Sequence, residues 1–280
     1  MTGTTSDPPI VEFRSVTHAY GERLVLNGLD VSVARGESLA LVGRSGAGKS
    51  TLLKLINRLL LPQSGAVLVE GRDTREWDPV RLRRRTGYVL QEIGLFPHLT
   101  VEQNVRLVPR LEGWTESRQR ERAHELLDLV GLAPREFGAR WPRELSGGQR
   151  QRVGVARALA IAPPVLVMDE PLGALDPITR VEVQAVIQRV RRELGQTLFL
   201  VTHDIAEASA LGSRIGVLED GCLIACDTPA AIARSQDPRV RRFLDAVPAL
   251  PEHVVGPAPS DPAAAPGPAP SDPPGATGCV

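Results

Sequence analysis

A glycine-rich segment of eight residues carries the residue types that bind the phosphates of a nucleotide. It reads Gly-Arg-Ser-Gly-Ala-Gly-Lys-Ser and fits the pattern G-x-x-x-x-G-K-[ST] without a mismatch. Its glycines permit positive φ angles and leave room for phosphate oxygens beside main-chain amides. We expect Lys49 to reach the β- and γ-phosphates of ATP and the Ser50 hydroxyl to bind Mg²⁺. The predicted binding residues are Gly43, Arg44, Ser45, Gly46, Ala47, Gly48, Lys49, Ser50 and Thr51.

Two adjacent carboxylates follow an apolar run, Val165 to Met168. A carboxylate at the end of a buried strand beside a phosphate loop can hold the Mg²⁺ shell, and we expect Asp169 to do so. The next residue, Glu170, is then placed to polarise the attacking water as a general base. An isolated acidic pair would only make a strand end soluble, so this prediction depends on the phosphate loop in the same chain.

Three further polar or aromatic residues are candidates through their positions. Gln91 and His203 each follow a short apolar run that predicts a strand, and ligands of α/β folds collect at the carboxyl ends of parallel strands. Tyr20 precedes the phosphate loop by about two dozen residues and can stack on adenine. Taken singly, each is also typical of an ordinary core, turn or surface position.

The elements around these residues alternate between strand and helix. Residues 38–42 form an apolar run and residues 50–57 begin an apolar helix, so the phosphate loop lies at a helix N-terminus. Residues 92 to about 160 are predicted to be mainly helical, with a capping box at Thr100 and Gln103 and a helix over 116–130 that stops at Gly131. Strands and helices alternate again from about residue 160, as a parallel sheet requires.

The order of the motifs resembles that of ABC (ATP-binding cassette) transporter ATPase subunits over roughly residues 10 to 245. The matching positions are Tyr20, Gly43 to Ser50, Gln91, Leu145 to Gln149 (Leu-Ser-Gly-Gly-Gln), Val165 to Glu170, Gly173 to Asp176, and His203. The resemblance implies an α/β fold: a P-loop NTPase (RecA-like) core with a mostly parallel sheet, an antiparallel β subdomain and an inserted α-helical subdomain over about 92–160.

The resemblance also implies a role for each matching position. Gln91 would contact Mg²⁺ and the attacking water, His203 would hold the γ-phosphate, and Asp176 would link two ATP sites. The segment Ser146, Gly147, Gly148 and Gln149 would cap the γ-phosphate of ATP bound to another subunit. Because the chain has one phosphate loop and one such segment, two copies, or this chain and a paralogue, would face each other head to tail.

Membrane partners follow from the same resemblance. Two separate transmembrane permease subunits would dock on the chain, with Leu95, Phe96 and Pro97 lining the docking groove, or serving only in subdomain packing. An extracytoplasmic binding protein would act indirectly, and the chain would lie peripherally at the cytoplasmic face of the membrane. The predicted helical segment Leu52–Leu61 is too short to span a bilayer, and Met1 to Pro9 does not resemble a signal peptide.

The runs Gln91 to Thr100 and Asp169 to Arg180 resemble the subgroup that serves importers of glycine betaine, carnitine or choline. Many members carry a pair of regulatory CBS modules after the ATPase domain. Only about thirty residues follow Leu250 here, so we do not expect this chain to sense ionic strength through such modules. An importer of amino acids, polyamines or another small polar solute is the alternative. Two further alternatives are a soluble ABC protein that acts on ribosomes or DNA and a regulatory binding module that has lost its activity.

Composition bounds the remaining possibilities. The chain has 280 residues, 42% of them hydrophobic, with 33 basic and 33 acidic side chains, so no nucleic-acid footprint is indicated. Three cysteines predict neither a metal set nor a disulfide framework. We divide the chain into a flexible N-terminus (1–9), one nucleotide-binding domain (10–247) and a disordered tail rich in proline and alanine (248–280).

Overall fold

The computed structural model describes residues 8–91 and 93–245, which form two β-sheets surrounded by helices. The strands are β1 Val11–Tyr20, β2 Arg23–Val33, β3 Ser38–Gly43, β4 Ser64–Val69, β5 Arg72–Asp73, β6 Thr86–Val89, β7 Val165–Asp169, β8 Thr197–Thr202, β9 Arg214–Glu219 and β10 Cys222–Asp227. The helices are α1 Lys49–Ile56, α2 Pro79–Arg85, α3 Val101–Leu111, α4 Glu116–Leu129, α5 Pro134–Phe137, α6 Gly147–Ala158, α7 Pro177–Leu194, α8 Ile205–Leu211, α9 Pro229–Ala233 and α10 Pro238–Asp245.

The central sheet has the strand order β10-β9-β3-β8-β7-β6, and only β10 runs antiparallel to its neighbour. Its inner strands are apolar along their length because both faces are covered. Successive residues point to opposite faces: Leu39 and Leu41 pack in one core, whereas Ala40 and Val42 pack in the other. This arrangement places the carboxyl ends of β3, β8, β7 and β6 side by side at one edge.

The second sheet, β2-β1-β4-β5, is antiparallel and shares a core with α1. Its first two strands form a hairpin in which Tyr20 pairs with Arg23 across the turn Gly21-Glu22. Gly21 has a φ of 60°, which glycine adopts without strain. The hairpin leads the chain from Tyr20 back toward the phosphate loop.

Between β6 and β7 the described chain is helical, and its predicted helix ends are confirmed. Thr100 Oγ1 accepts from Gln103 N at 3.3 Å, and Gln103 Oε1 accepts from Thr100 N at 2.9 Å. The helix α4 ends one residue before Val130, and Gly131 has a φ of 72°.

One predicted helix is shorter than the sequence pattern indicated. The apolar segment from Leu52 is helical only to Ile56; Arg58 takes a φ of 50°, and Leu59 and Leu61 are 55% and 46% exposed. The segment therefore turns outward instead of continuing into the core. None of the described helices has the length and apolar character needed to span a bilayer. The predicted tail and all but two residues of the predicted N-terminus lie outside the described residues.

Candidate functional site

The loop between β3 and α1 has the backbone geometry that its glycines predict. Gly46 and Gly48 have φ angles of 83° and 102°. A Cβ on Gly48 would lie 2.8 Å from the carbonyl oxygen of Val25, so this position admits no side chain. The first residues of α1, together with Gly48, line a cavity, which is where a helix N-terminus can bind phosphate.

The side chain of Lys49 lies across the loop that precedes it. Its Nζ donates to the carbonyl oxygens of Gly43 at 2.8 Å and Arg44 at 3.1 Å, and the residue is 6% exposed. Burial lowers the pKa of this ammonium, while the nearby carboxylates of Glu170 and Asp169 oppose that shift. The two carbonyl oxygens therefore hold the Lys49 ammonium group beside the loop.

Two of the side chains that are predicted to bind Mg²⁺ meet at the end of β7. Ser50 Oγ donates to Asp169 Oδ1 at 3.3 Å, and burial is the main cause of the raised pKa of Asp169. A hydroxyl and a carboxylate at this separation fit Mg²⁺, which prefers oxygen ligands and keeps part of its shell as water or phosphate oxygens. The described residues contain no group of three or more His, Cys, Asp or Glu that could hold a metal ion by itself.

Two of the three predicted catalytic side chains, Gln91 and His203, lie next to a carboxylate oxygen of the third, Glu170. Glu170 Oε2 lies 3.1 Å from His203 Nδ1 and 3.5 Å from Gln91 Nε2. Glu170 has a φ of 44°, and its amide donates to Val201 O at 2.8 Å. The chain thus turns sharply beyond β7 while remaining attached to β8, which directs the carboxylate toward the phosphate loop.

Tyr20 shares a cavity of about 420 Å³ with the phosphate loop. Its ring is 46% exposed and meets the ring of His18 edge-on, with centroids 5.0 Å apart. One face of the tyrosine is therefore available for stacking. The lining includes Tyr20, Arg23, Ser45, Lys49, Thr51 and Glu170.

Arg23 is a lining residue that the sequence analysis missed. Arginine is abundant in this chain, so a single exposed arginine is not distinctive in the sequence. The signal that would have found it is the hairpin turn, which pairs Arg23 with Tyr20 on one face of the sheet.

The segment Ser146 to Gln149 lies elsewhere on the molecule and is not part of the described lining of this cavity. It begins α6 with a capping box, in which Ser146 Oγ accepts from Gln149 N at 3.2 Å and Gln149 Oε1 accepts from Ser146 N at 2.9 Å. Ser146 itself is exposed. A single copy therefore keeps this helix N-terminus apart from its own phosphate loop.

Gly148 and Asp176 have structural contacts that the motif pattern did not reveal. A Cβ on Gly148 would lie 2.2 Å from Cγ2 of Thr179, so glycine permits α6 to pack against α7. The Asp176 carboxylate accepts from the amides of Ile178 at 3.2 Å and Thr179 at 3.0 Å, which caps α7.

A buried carboxyl group supports the backbone beside His203. Glu207 is 4% exposed, and its Oε2 accepts from Thr202 Oγ1 at 2.6 Å. The same hydroxyl accepts from Asp204 N at 3.0 Å, so the residues on both sides of His203 are tied together. Burial raises the pKa of Glu207 to about 7. No motif at the sequence level singled out this residue.

An open apolar groove of about 400 Å³ lies between α2, β6 and the helical segment. Val80, Leu90 and Phe96 line it and are 50%, 42% and 41% exposed. Of the three residues predicted for a docking groove, Phe96 is part of the lining, whereas Leu95 packs against the core. Pro97 is exposed and is not part of the described lining.

Comparison with known proteins agrees with this geometry. Residues 26–173 match the family model described as ABC transporter. The chain is 48% identical over 227 residues to the glycine betaine/carnitine/choline transport ATP-binding protein OpuCA of Bacillus subtilis, covering 81% of this chain and 60% of that protein. It is 50% identical over 204 residues to the osmoprotectant import ATP-binding protein OsmV of Salmonella typhimurium, covering 73% and 53%.

A solved structure has the same fold. The dimeric, post-hydrolysis ATP-binding cassette MJ0796, bound to ADP and Pi, superposes with a TM-score of 0.70 at 36% identity and covers 78% of this chain and 98% of that one. The chain spans between about half and two thirds of the length of OpuCA and OsmV. On the family model, the relatives and the shared fold, this chain is a member of the ABC transporter family.

Proposed function

We propose that this chain hydrolyses ATP and thereby powers a membrane importer for osmoprotectants such as glycine betaine, carnitine or choline. The observation that carries the hydrolytic part is the convergence of Gln91 and His203 on the Glu170 carboxylate beside the phosphate loop. The cargo rests on the relatives, whose names refer to these solutes.

In this proposal, residues of the chain bind ATP and activate the attacking water. Lys49 supplies positive charge to the β- and γ-phosphates, and Tyr20 offers a ring face to adenine. Ser50, Asp169 and Gln91 would hold Mg²⁺, which would supply positive charge beside the phosphates. Glu170 accepts a proton from the attacking water, and His203 keeps the carboxylate in position.

The complete site requires a second copy of the chain or a paralogue. The exposed N-terminus of α6, with Ser146 at its cap, would meet the phosphate loop of the partner subunit, and Asp176 would lie between the two sites. The dimeric state of the cassette MJ0796 supports this arrangement. Binding of ATP would then close the dimer, and hydrolysis would open it.

Each of the two permease subunits would dock on one copy of the chain, in the apolar groove that Val80, Leu90 and Phe96 line. Exposed apolar side chains in a concave surface favour association with a protein partner. Movement of the loop from Gln91 toward Phe96 would then couple hydrolysis to the permeases. An extracytoplasmic binding protein would act through them, and the chain would lie peripherally on the cytoplasmic face.

The decisive experiment measures ATP hydrolysis by the chain and its co-expressed permeases in liposomes. Binding protein is added with glycine betaine, carnitine, choline or an amino acid. Stimulation by the betaine-type loads alone would support the proposed cargo. Stimulation by amino acids, or by none of the solutes, would refute that cargo, whereas absent basal hydrolysis would refute the ATPase itself.

A further inference from the structure

Arg23 is a positively charged side chain that stands over the phosphate loop from outside. A Cβ built on Gly46 would lie 3.3 Å from an Nη atom of Arg23, so the guanidinium is in contact range of the loop. Arg23 lines the cavity that contains Tyr20 and Lys49. It also borders a second cavity of about 780 Å³ that Gly43 to Ala47 line.

The hairpin explains why this arginine is there. Tyr20 and Arg23 are paired residues on the two sides of the turn Gly21-Glu22. Paired side chains of an antiparallel hairpin point to the same face. One turn therefore delivers an aromatic ring and a guanidinium to the same cavity.

Arg23 has no ion-pair partner among the residues that the structure describes. Glu170 is the only carboxylate among the described residues that line the cavity, and it faces His203 and Gln91. The cavity thus holds two cationic groups, Lys49 and Arg23, against one anion, which suits a ligand with several negative charges.

We propose that Arg23 is a phosphate-binding residue of the nucleotide site, which rests on the proposed binding of ATP. Lys49 approaches the phosphates from the loop interior, and Arg23 approaches from the β1–β2 hairpin. A guanidinium presents two parallel N–H donors to phosphate oxygens, which an ammonium does not. In this arrangement the base stacks on the ring of Tyr20, and the phosphates bind the guanidinium of Arg23.

The test distinguishes contacts with the phosphates from contacts with the base. Equilibrium binding of ATP and of inorganic tripolyphosphate, which has no base, is measured on the full-length chain and on Arg23→Gln, Arg23→Lys and Tyr20→Ala. Arg234→Gln is the control, because Arg234 is also exposed and is not among the lining residues of either cavity.

Arg23→Gln should weaken binding of both ligands by about tenfold, the scale of one charge-assisted hydrogen bond. Arg23→Lys should retain part of the affinity, and the loss should shrink as ionic strength rises. Tyr20→Ala should weaken binding of ATP alone, and Arg234→Gln should change neither affinity.

An unchanged affinity of Arg23→Gln for tripolyphosphate would overturn the assignment, even if its affinity for ATP fell. That result would place the guanidinium on the ribose or the base. If the unsubstituted chain bound neither ligand, the proposed ATP site would itself be wrong. If the chain bound both and Arg23→Gln bound both equally well, only the role of Arg23 would be refuted.

Discussion

Nδ1 of His203 lies 3.1 Å from Oε2 of Glu170, although 33 residues separate them in sequence. The contact exists because β7 and β8 are parallel neighbours, with Asp169 in register with Val201. Each strand ends one residue before the side chain that is predicted to be catalytic. The two side chains therefore leave the same edge of the sheet together, and the sheet itself sets their separation.

Replacing Glu170 with Gln should lower ATP turnover at least about hundredfold, because an amide cannot accept the proton from water. Phosphate release measures the turnover. We also expect the substituted chain to accumulate as an ATP-bound dimer, which size-exclusion chromatography in the presence of ATP would detect. Glu193→Gln is a matched control at the exposed end of α7. Unchanged turnover in Glu170→Gln would remove Glu170 as the general base.

Replacing Gly148 with Ala should destabilise the chain. The new Cβ would lie 2.2 Å from Thr179 Cγ2, and overpacking of this kind costs about 1–3 kcal/mol in the free energy of unfolding. The better helix propensity of alanine returns only about 1 kcal/mol.

Two further variants make this prediction specific, each measured by urea unfolding. Adding Thr179→Ser removes the clashing methyl group and should restore stability. Gly147→Ala, whose Cβ would meet Leu175 at an ordinary 3.5 Å, should cost nothing. Equal destabilisation by both alanine substitutions would show that packing against α7 is not the cause.

Glu207 should make the chain less stable as pH rises. Its pKa is about 7 in the fold against an ordinary value of 4.5, because burial disfavours the carboxylate; Asp204 and Glu170 act in the same direction, and Arg180 and the Thr202 hydroxyl oppose it. The contribution to stability is full below about pH 4.5 and is lost as pH rises through about 7, at up to ~1.4 kcal/mol per pH unit.

Glu207→Gln removes this titration while an amide oxygen can still accept from Thr202. The variant should therefore gain stability relative to the unsubstituted chain between pH 5 and 7, and the difference should level off above that range. Denaturant unfolding at several pH values measures it. A constant difference across the range would mean that Glu207 does not titrate there.

Replacing Val80 with Glu should weaken association with the permeases, because a carboxylate would lose its hydration when an apolar partner surface covers it. Co-purification of the complex in detergent measures the loss. ATP binding by the isolated chain should not change, since Val80 is not among the residues lining the nucleotide cavity. Leu194→Glu, on an apolar residue exposed at the end of α7, should leave the complex intact. Loss of the complex in both variants would point to a general effect of added charge.

The sequence by itself was enough to predict features whose physical cause is local. The loop from Gly43 to Ser50 needs glycine φ angles and a following helix N-terminus, and both depend on neighbours in the chain. The cap at Thr100 and the helix stop at Gly131 are local for the same reason. The apolar strands were also readable, because strands covered on both faces have apolar residues at every position.

Tertiary structure decided which distant residues meet. The order of strands in a parallel sheet is not the order in the chain, so only the fold brings Gln91, Glu170 and His203 to one oxygen. Arg23 acquired its position through hairpin register, and Glu207 acquired its raised pKa through burial. Neither register nor burial has a signature in single residues, since both arise from packing between elements that are far apart in sequence.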